Sequence, residues 1–423
     1  MMKTVALLLF ILMYVGLIAF GKARPWIALG TAAIFLVLGI QPIEGVVGAI
    51  DWNVLMMLAG TMGTVALFIQ SKMPNRVADR LLQLTPNVMW AAVLLSLFSG
   101  FVSAFIDNVA TVLMIAPVGL AIARRLKISP VLLLISISVS SNLQGAATLV
   151  GDTTSILLGG AARMDFADFF FFQGKFSIFW AVELGALATV PVIIFLFRGH
   201  RERIEAGELT QVEDYFPSAL LATNVLMLIG ASFIPNKPAL TNGLICIVLC
   251  AIGCVREWIH DHSVEQVKAL LKEIDFETLL LLAGLFIVIG GITHVGLIDD
   301  IAQLFVRLGG GSLLGMYSLI VFGSVLFSAF IDNIPYVATM LPVVGGIARL
   351  MGCNPVVLYF GLLIGATLGG NLTPVGASAN IVTIGMLRKQ GYEVSAKDFM
   401  RIGLPFTTVA VLVGYAFCWL VWA

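Results

Sequence analysis

The chain has 423 residues, of which 60% are apolar and 11% are charged, and its mean hydropathy is +1.03. Soluble proteins carry about 45–50% apolar and about 25% charged residues, so this composition excludes a soluble enzyme, a nucleic-acid binder and a disordered chain. The 24 basic and 24 acidic residues cancel, which leaves no net field to attract nucleic acid. The composition predicts a protein that crosses a lipid bilayer with helices of about 20 residues.

Apolar runs separated by charged segments predict eight plain membrane spans. They are 4–20, 25–42, 52–70, 176–197, 217–234, 239–255, 276–294 and 400–422. Two longer apolar regions are broken by Asp, Asn, Gly and Pro, and each is interpreted as a re-entrant hairpin followed by one broken spanning helix. The hairpins are 87–124 and 313–349, and the broken helices are 129–163 and 355–388. The predicted fold class is therefore an all-α polytopic membrane protein with ten crossings.

The chain contains an internal repeat. The segment Ser103-Ala-Phe-Ile-Asp107-Asn108 recurs 225 residues later as Ser328-Ala-Phe-Ile-Asp332-Asn333, and 15 of the 31 positions in 103–133 are identical to their counterparts. Each half contains five crossings, an odd number, so the second copy is expected to be inverted. Inverted repeats with broken helices are typical of secondary transporters, which bind substrate and coupling ions near the bilayer midplane.

These boundaries predict a first inverted repeat over 1–198, a linker over 199–216 and a second repeat over 217–423. The ten crossings place 18 of the 24 basic residues on one side of the membrane and six on the other. Because loops rich in Lys and Arg stay in the cytoplasm, the linker is expected to be cytoplasmic and both termini outward, in the cell (inner) membrane.

The four interruptions supply the candidate binding residues. Backbone that leaves the helical conformation at membrane depth is tolerated only where protein or a water-filled cavity surrounds it. Freed helix ends and amide or hydroxyl oxygens can hold Na⁺ or an oxyanion, and carboxylates inside a membrane usually mark an ion or proton path. The candidates are Asp107, Asn108, Asn142, Thr148, Gly151, Asp152, Asp332, Asn333, Asn371, Thr373, Gly376, Ser378 and Asn380. Na⁺ is expected at Asp107/Asn108 and at Asp332/Asn333, although helix capping is the alternative role.

Two acidic residues stand outside the repeat pattern. Asp152 has Ala377 as its counterpart, so it is either an additional cation ligand or a helix cap. Glu183, inside the span 176–197, is either a proton carrier or, as favoured, an interfacial carboxylate paired with Lys175.

The remaining motifs point away from catalysis. Cys246, Cys250 and Cys254 share one helix stripe and could bind a metalloid, but packing by small apolar side chains is favoured. The aromatic run Phe169–Phe172 is expected to lie at the membrane interface. The sequence contains no phosphate loop, HExxH, GxSxG or CxxC motif. We therefore expect no enzyme activity and no cofactor, and we expect coupling to a gradient of H⁺ or Na⁺.

Four segments resemble the ion transporter superfamily, in particular the branch of arsenite permeases, the P protein and citrate-transporter-like domains. They are SAFIDNVATVLMIAPV (103–118), SAFIDNIPYVATMLPV (328–343), NLQGAATLVGDTTSILLG (142–159) and GGNLTPVGASANIVTIG (369–385). The resemblance implies two hairpins and two broken helices around a central site, elevator-type motion and a homodimer.

The hairpin tips depart from the pattern of dicarboxylate and citrate carriers, which typically carry Ser-Asn-Thr there. The chain has Asp107-Asn108-Val109 and Asp332-Asn333-Ile334 instead. Two carboxylates would repel a polycarboxylate unless they were protonated or masked by cations. The sequence therefore favours an antiporter, coupled to H⁺ or Na⁺, that exports Na⁺ or an arsenite-like solute, as in arsenical resistance. The alternatives are a Na⁺-coupled organic-anion transporter and an ion channel on the same fold.

The predicted topology can be tested with single cysteines placed in the 198–216 loop and at each terminus of a cysteine-free variant. We expect an impermeant thiol reagent added to intact cells to label both termini and to leave the loop unlabelled until the cells are opened. Labelling of the loop from outside would contradict the predicted orientation.

Overall fold

The chain is almost entirely helical. A computed structural model describes residues 2–203, 209–261, 268 and 270–423. Within these ranges, eight helices are at least 18 residues long and apolar enough to cross a membrane. The predicted class of an all-α membrane protein is confirmed, and the β-structure in the described residues is one short hairpin that pairs Phe171–Phe172 with Lys175–Phe176.

The helices of the described residues are numbered in chain order. They are α1 (Met2–Ala19), α2 (Arg24–Val37), α3 (Val46–Ala49), α4 (Trp52–Gln70), α5 (Met73–Gln83), α6 (Val88–Ser103), α7 (Asn108–Leu126), α8 (Val131–Gln144), α9 (Thr153–Ala162), α10 (Ile178–Phe197), α11 (Phe216–Ser232), α12 (Thr241–Asp261), α13 (Phe276–His294), α14 (Leu297–Leu308), α15 (Leu313–Ser328), α16 (Asn333–Met351), α17 (Val356–Leu363), α18 (Ser378–Lys389) and α19 (Ala396–Trp422). The strands are β1 (Phe171–Phe172) and β2 (Lys175–Phe176).

The regions interpreted as hairpins and broken helices contain paired helices with short breaks. The first hairpin consists of α6 and α7, and the second consists of α15 and α16. The broken helices are α8 with α9, and α17 with α18; a π-helical segment, Ile364–Leu368, extends α17. An aspartate begins the second arm of each hairpin: the carboxylates of Asp107 and Asp332 accept hydrogen bonds of 3.1 Å from the N–H groups of Val109 and Ile334.

Two amphipathic helices were not anticipated from the sequence. α5 and α14 each connect a span to a hairpin, and both have an apolar face and a charged face. α14 meets α15 at an angle of 110°. The aromatic run that was expected at the interface forms a 3₁₀ turn and the β-hairpin. Residues 204–208 of the predicted linker lie outside the described residues, and the division of the chain into 1–198 and 217–423 stays a prediction.

The two halves pack against each other reciprocally. α4 of the first half lies against α12 of the second, and α13 of the second half lies against α2 of the first. The close approach depends on glycine: a Cβ on Gly60 would lie 2.3 Å from the backbone of Cys246, and a Cβ on Gly284 would lie 2.8 Å from the backbone of Ala28. Small residues allow this proximity between membrane helices.

Reciprocal contacts are what a two-fold relation between the halves produces. α7 lies against α18, and its counterpart α16 lies against α9. α10 and α19, which occupy the same place in the two halves, pack directly on each other. This arrangement supports a two-fold axis. With the predicted five crossings in each half, such an axis would lie in the membrane plane, and the inversion itself stays a prediction.

The glycine contact can be tested by substitution. We expect Gly60→Ala to destabilise the protein by about 1–3 kcal/mol, since the added methyl group has to push apart two helix backbones. Gly30→Ala in α2 is the matched control, because its Cβ would meet no atom within 4 Å. Thermal unfolding in detergent, followed by tryptophan fluorescence, measures both. Equal melting temperatures for the two variants would show that the α4–α12 contact is not close.

Candidate functional site

Each hairpin tip is held by the broken helix of its own half in the same way. The hydroxyl of Thr148 donates to the carbonyl of Ala104, and the hydroxyl of Thr373 donates to the carbonyl of Ala329. All four residues are buried. The two threonines, which the sequence suggested as ligands, therefore use their hydroxyl protons to brace the backbone of the tips.

The glycines that follow the threonines allow this bracing. A Cβ on Gly151 would lie 2.6–2.8 Å from three carbonyl oxygens, two of which belong to the first hairpin. A Cβ on Gly376 would meet the three equivalent oxygens at 2.6–3.0 Å. No side chain fits at either position, so both glycines permit close approach of backbone to backbone and supply no side-chain ligand.

A chain of buried amides links the first tip to both broken helices. The amide of Asn108 donates to Asn142 at 2.9 Å, and Asn142 donates to Asn371 at 3.1 Å and to the carbonyl of Thr367 at 2.9 Å. Asn371 in turn donates to the carbonyl of Val139 at 2.9 Å. A buried network in which the members satisfy one another is rigid, so these three asparagines fix the first tip relative to the second half.

Asn380 and Ser378 begin α18 but have different surroundings. The side chain of Asn380 donates to the carbonyls of Gly370 and Thr373 at 3.0 and 3.3 Å and accepts from the hydroxyl of Ser138 at 2.8 Å. The side chain of Asn380 therefore has a structural role, whereas Ser378 borders a cavity.

A cavity of about 240 Å³ lies beside the first tip. Its polar lining comes from both halves: Asp107, Asn108, Asp152, Thr153, Glu273, Asp275, Thr278, Asn333 and Ser378. No Lys, Arg or His from the described part of the chain is among the lining residues. The structure thus brings five candidate residues together in one acidic cavity of a size suited to an ion with its waters or to a small solute.

Asp152 connects the first broken helix to the second tip. Its carboxylate accepts a hydrogen bond from the hydroxyl of Thr154 at 2.8 Å, and the same oxygen accepts from the amide of Asn333 at 3.4 Å. Although Asp152 precedes α9 at the N-cap position, its side chain makes no capping bond to the helix. It is 6% exposed, so its charge lies away from bulk solvent and next to the cavity.

Asp332, at the second tip, is engaged by a partner that sequence reasoning missed. The guanidinium of Arg24 contacts its carboxylate at 2.7 Å. Arg24 is the first residue of α2. From the sequence it was counted only as a basic residue in the loop between two predicted spans. One feature of the sequence could have indicated its position: Arg24 directly precedes Pro25, which places it in the first turn of a span rather than in a long loop.

Two further sequence predictions concern residues outside the cavity. Lys175 contacts the carbonyl of Val421 and the ring of Trp422, and Glu183 has no ion-pair partner among the described residues, so the predicted Lys175–Glu183 pair is not formed. Cys250 packs next to Gly63. In the described residues no group of three His, Cys, Asp or Glu side chains could hold a metal ion, so a cation at the first tip would also need amide, hydroxyl or backbone oxygens.

A transporter and an efflux pump of known structure have a similar overall fold. The YdaH transporter of Alcanivorax borkumensis matches with a TM-score of 0.61 at 13% identity, over 93% of this chain and 96% of that one. MtrF of Neisseria gonorrhoeae, described as an antimetabolite efflux pump, matches with a TM-score of 0.58 at 15% identity, over 92% of this chain and 84% of that one. At these identities the likeness concerns the fold.

Sequence relatives extend over the whole chain. An uncharacterized transporter of Mycobacterium tuberculosis is 32% identical over 99% of this chain and 98% of its own length. The P protein of Sus scrofa is 27% identical over 92% of this chain and 55% of its own. The model of the CitMHS family, described as citrate transporters, matches residues 6–365. The superfamily resemblance is thus confirmed, and the chain is a membrane protein that belongs to the CitMHS family of transporters.

Proposed function

We propose that the protein is a secondary transporter in which the first hairpin tip carries the coupling cation, H⁺ or Na⁺. The observation that supports this most strongly is the pair of carboxylates, Asp107 and Asp152, on a cavity to which the described residues contribute no basic side chain. The cavity borders Glu273 and Asp275, which the count of basic residues assigns to the cytoplasmic side. The cation would therefore exchange with the cytoplasm in the conformation described.

Uncompensated charge inside a membrane is energetically costly. A buried carboxylate without a counter-ion is destabilised by several kcal/mol and takes up a proton or a cation. Asp107 and Asp152 would share such a cation, with further oxygens from Asn108 and Ser378. Release of the cation leaves two carboxylates that repel each other, so the empty and loaded states differ in energy and the bound cation can drive a change of conformation.

The contact between Asn333 and Asp152 links the cation to the second tip. A cation bound by Asp107 and Asp152 would change the charge next to Asn333, because the amide of Asn333 lies 3.4 Å from the Asp152 carboxylate. A solute bound between the two tips would thereby be coupled to the cation. We propose that this movement is of the elevator type, that the protein works as a homodimer in the inner membrane with both termini outward, and that it needs no cofactor.

The acidic lining favours a cation or a neutral solute as the exported species. Na⁺, or an uncharged solute such as arsenous acid, can enter a cavity lined by Asp107, Asp152, Glu273 and Asp275. In an antiporter, H⁺ moving inward would drive the export of Na⁺, and H⁺ or Na⁺ moving inward would drive the export of an uncharged solute. An anion would be repelled at this lining.

Citrate is the second candidate substrate, because the matching family model describes citrate transporters. A polycarboxylate could occupy the same cavity only together with cations that mask Asp107 and Asp152. The two candidates differ in one observable: citrate flux requires a co-transported cation, whereas export of a neutral solute requires a counter-moving one.

Flux in proteoliposomes tests the proposal. Purified protein is reconstituted, and radiolabelled arsenite, citrate and Na⁺ are each followed under an imposed pH gradient and under an imposed Na⁺ gradient. We expect one of the three to move against its own gradient when the coupling gradient is present. A current that follows the membrane potential without saturation would instead indicate a channel and contradict the proposal.

We expect Asp107→Asn to lower gradient-driven flux at least about tenfold, which corresponds to about 1.4 kcal/mol in the barrier to transport. The neutral amide keeps the size and the capping position of the carboxylate but cannot hold a cation by charge. Glu44→Gln, at an exposed carboxylate, is the matched control and should transport at the wild-type rate. Flux by Asp107→Asn at the wild-type rate, with unchanged dependence on both gradients, would reduce Asp107 to a helix cap.

A further inference from the structure

The two hairpin tips have the same backbone but different electrostatic environments. Asp107 and Asp332 occupy equivalent places in the repeat and cap their helices with bonds of the same length, 3.1 Å. Asp332 is paired with a guanidinium at 2.7 Å. Asp107 faces a cavity whose charged lining residues in the described chain are all acidic. The electrostatic difference between the two tips therefore comes from the residues that surround them and not from the tips themselves.

Arg24 is fixed where a bound cation would sit at the second tip. Its Nη1 contacts Asp332, and its Nε donates to the carbonyl of Leu17 at 3.1 Å. Its side chain is 28% exposed and that of Asp332 is 11% exposed, so the pair is only partly screened by solvent. The hydroxyl of Tyr14, in the preceding helix, also donates to the carbonyl of Pro335 on the second hairpin at 2.8 Å. The second tip is therefore tied to α1 and α2.

The first tip has no equivalent of Arg24. Gly60 packs on Cys246 as Gly284 packs on Ala28, and this alignment of α12 with α2 places Asn242 at the position that corresponds to Arg24. Asn242 carries no charge. The nearest basic residue in that segment, Lys237, is paired with Asp165 at 2.7 Å and donates to Asn242 at 3.1 Å.

We propose that Arg24 is a built-in counter-cation for the second tip, so that the protein binds one exchangeable cation per chain, at the first tip, although its repeat presents two equivalent Asp-Asn tips. This inference rests on the proposed function, which places the exchangeable cation at Asp107. The fixed positive charge of the Arg24 guanidinium thus neutralises Asp332 in the conformation described. Arg24 is a specificity-determining residue: it sets how many cations the site accepts.

Replacement of Arg24 should convert the second tip into a second cation site. In Arg24→Gln, we expect Asp332 to keep its place and its capping bond but to lose its counter-ion. Asp332 would then resemble Asp107, whose cavity has no basic lining residue in the described chain. We expect equilibrium binding of ²²Na⁺ to purified protein, measured by scintillation proximity at alkaline pH, to rise from one ion per chain in the wild type to two in Arg24→Gln. Arg24→Lys, which keeps the charge, should still bind one.

Two further variants separate the possible failures. Asp107→Asn should bind no Na⁺, and Arg24→Gln combined with Asp332→Asn should return to one ion, since both the fixed charge and the new site are gone. Two ions in the wild type, or one ion in Arg24→Gln with a wild-type melting temperature, would overturn the role of Arg24 while leaving the first tip as a cation site. No binding by the wild type would overturn the proposed Na⁺ site itself and this inference with it.

If Arg24→Gln does not fold, the double variant and Arg24→Lys decide the matter. One ion in both supports the inference, because removing the Arg24–Asp332 pair as a whole then leaves the exchangeable site intact. Loss of the ion in the double variant would show that the second tip contributes to the exchangeable site and would contradict the inference.

Discussion

The structure depends on one constraint: a backbone that leaves the helical conformation within hydrocarbon has to be satisfied by the protein itself. The chain breaks its helices at four places, and the breaks are arranged in pairs so that each satisfies the other. Thr148 bonds the carbonyl of Ala104, and Thr373 bonds that of Ala329. Gly151 and Gly376 allow the segments to come close enough for these bonds. In both halves, therefore, the same local arrangement satisfies backbone groups that the interrupted helix leaves exposed.

The same constraint separates structural polar residues from functional ones. Asn142, Asn371 and Asn380 have their amides bonded within the protein. Asp107 and Asp152 have partners for some of their oxygens, but the described residues provide no positive charge at the cavity they border. A carboxylate in that position is stable only with a cation or a proton, and this is the basis of the proposed coupling.

The sequence predicted the elements that depend on local patterns. The repeated SAFIDN segment and the polar interruptions indicated hairpins and broken helices in the regions where the structure has paired helices. The roles of individual residues were harder to predict, because they depend on contacts between distant segments. Arg24 meets Asp332 across 308 residues. Thr148 lies in a polar helix break, as a ligand would, and from the sequence it was a candidate ligand. Only its bond to the carbonyl of Ala104 shows that its hydroxyl braces the hairpin tip. α5 and α14 were missed because amphipathic helices of 11 and 12 residues lack the length of a span.

In the proposed mechanism, the gradient of the cation that binds at Asp107 drives the movement of the solute. The most direct measurement is the reversal condition in proteoliposomes with the membrane potential clamped at zero: the solute gradient is varied until net flux stops under a fixed gradient of Na⁺ or H⁺. We expect one of the two cation gradients to shift this balance point by the ratio expected for one cation per solute, and we expect the shift to disappear in Asp107→Asn. A balance point at equal solute concentrations under both gradients would contradict it.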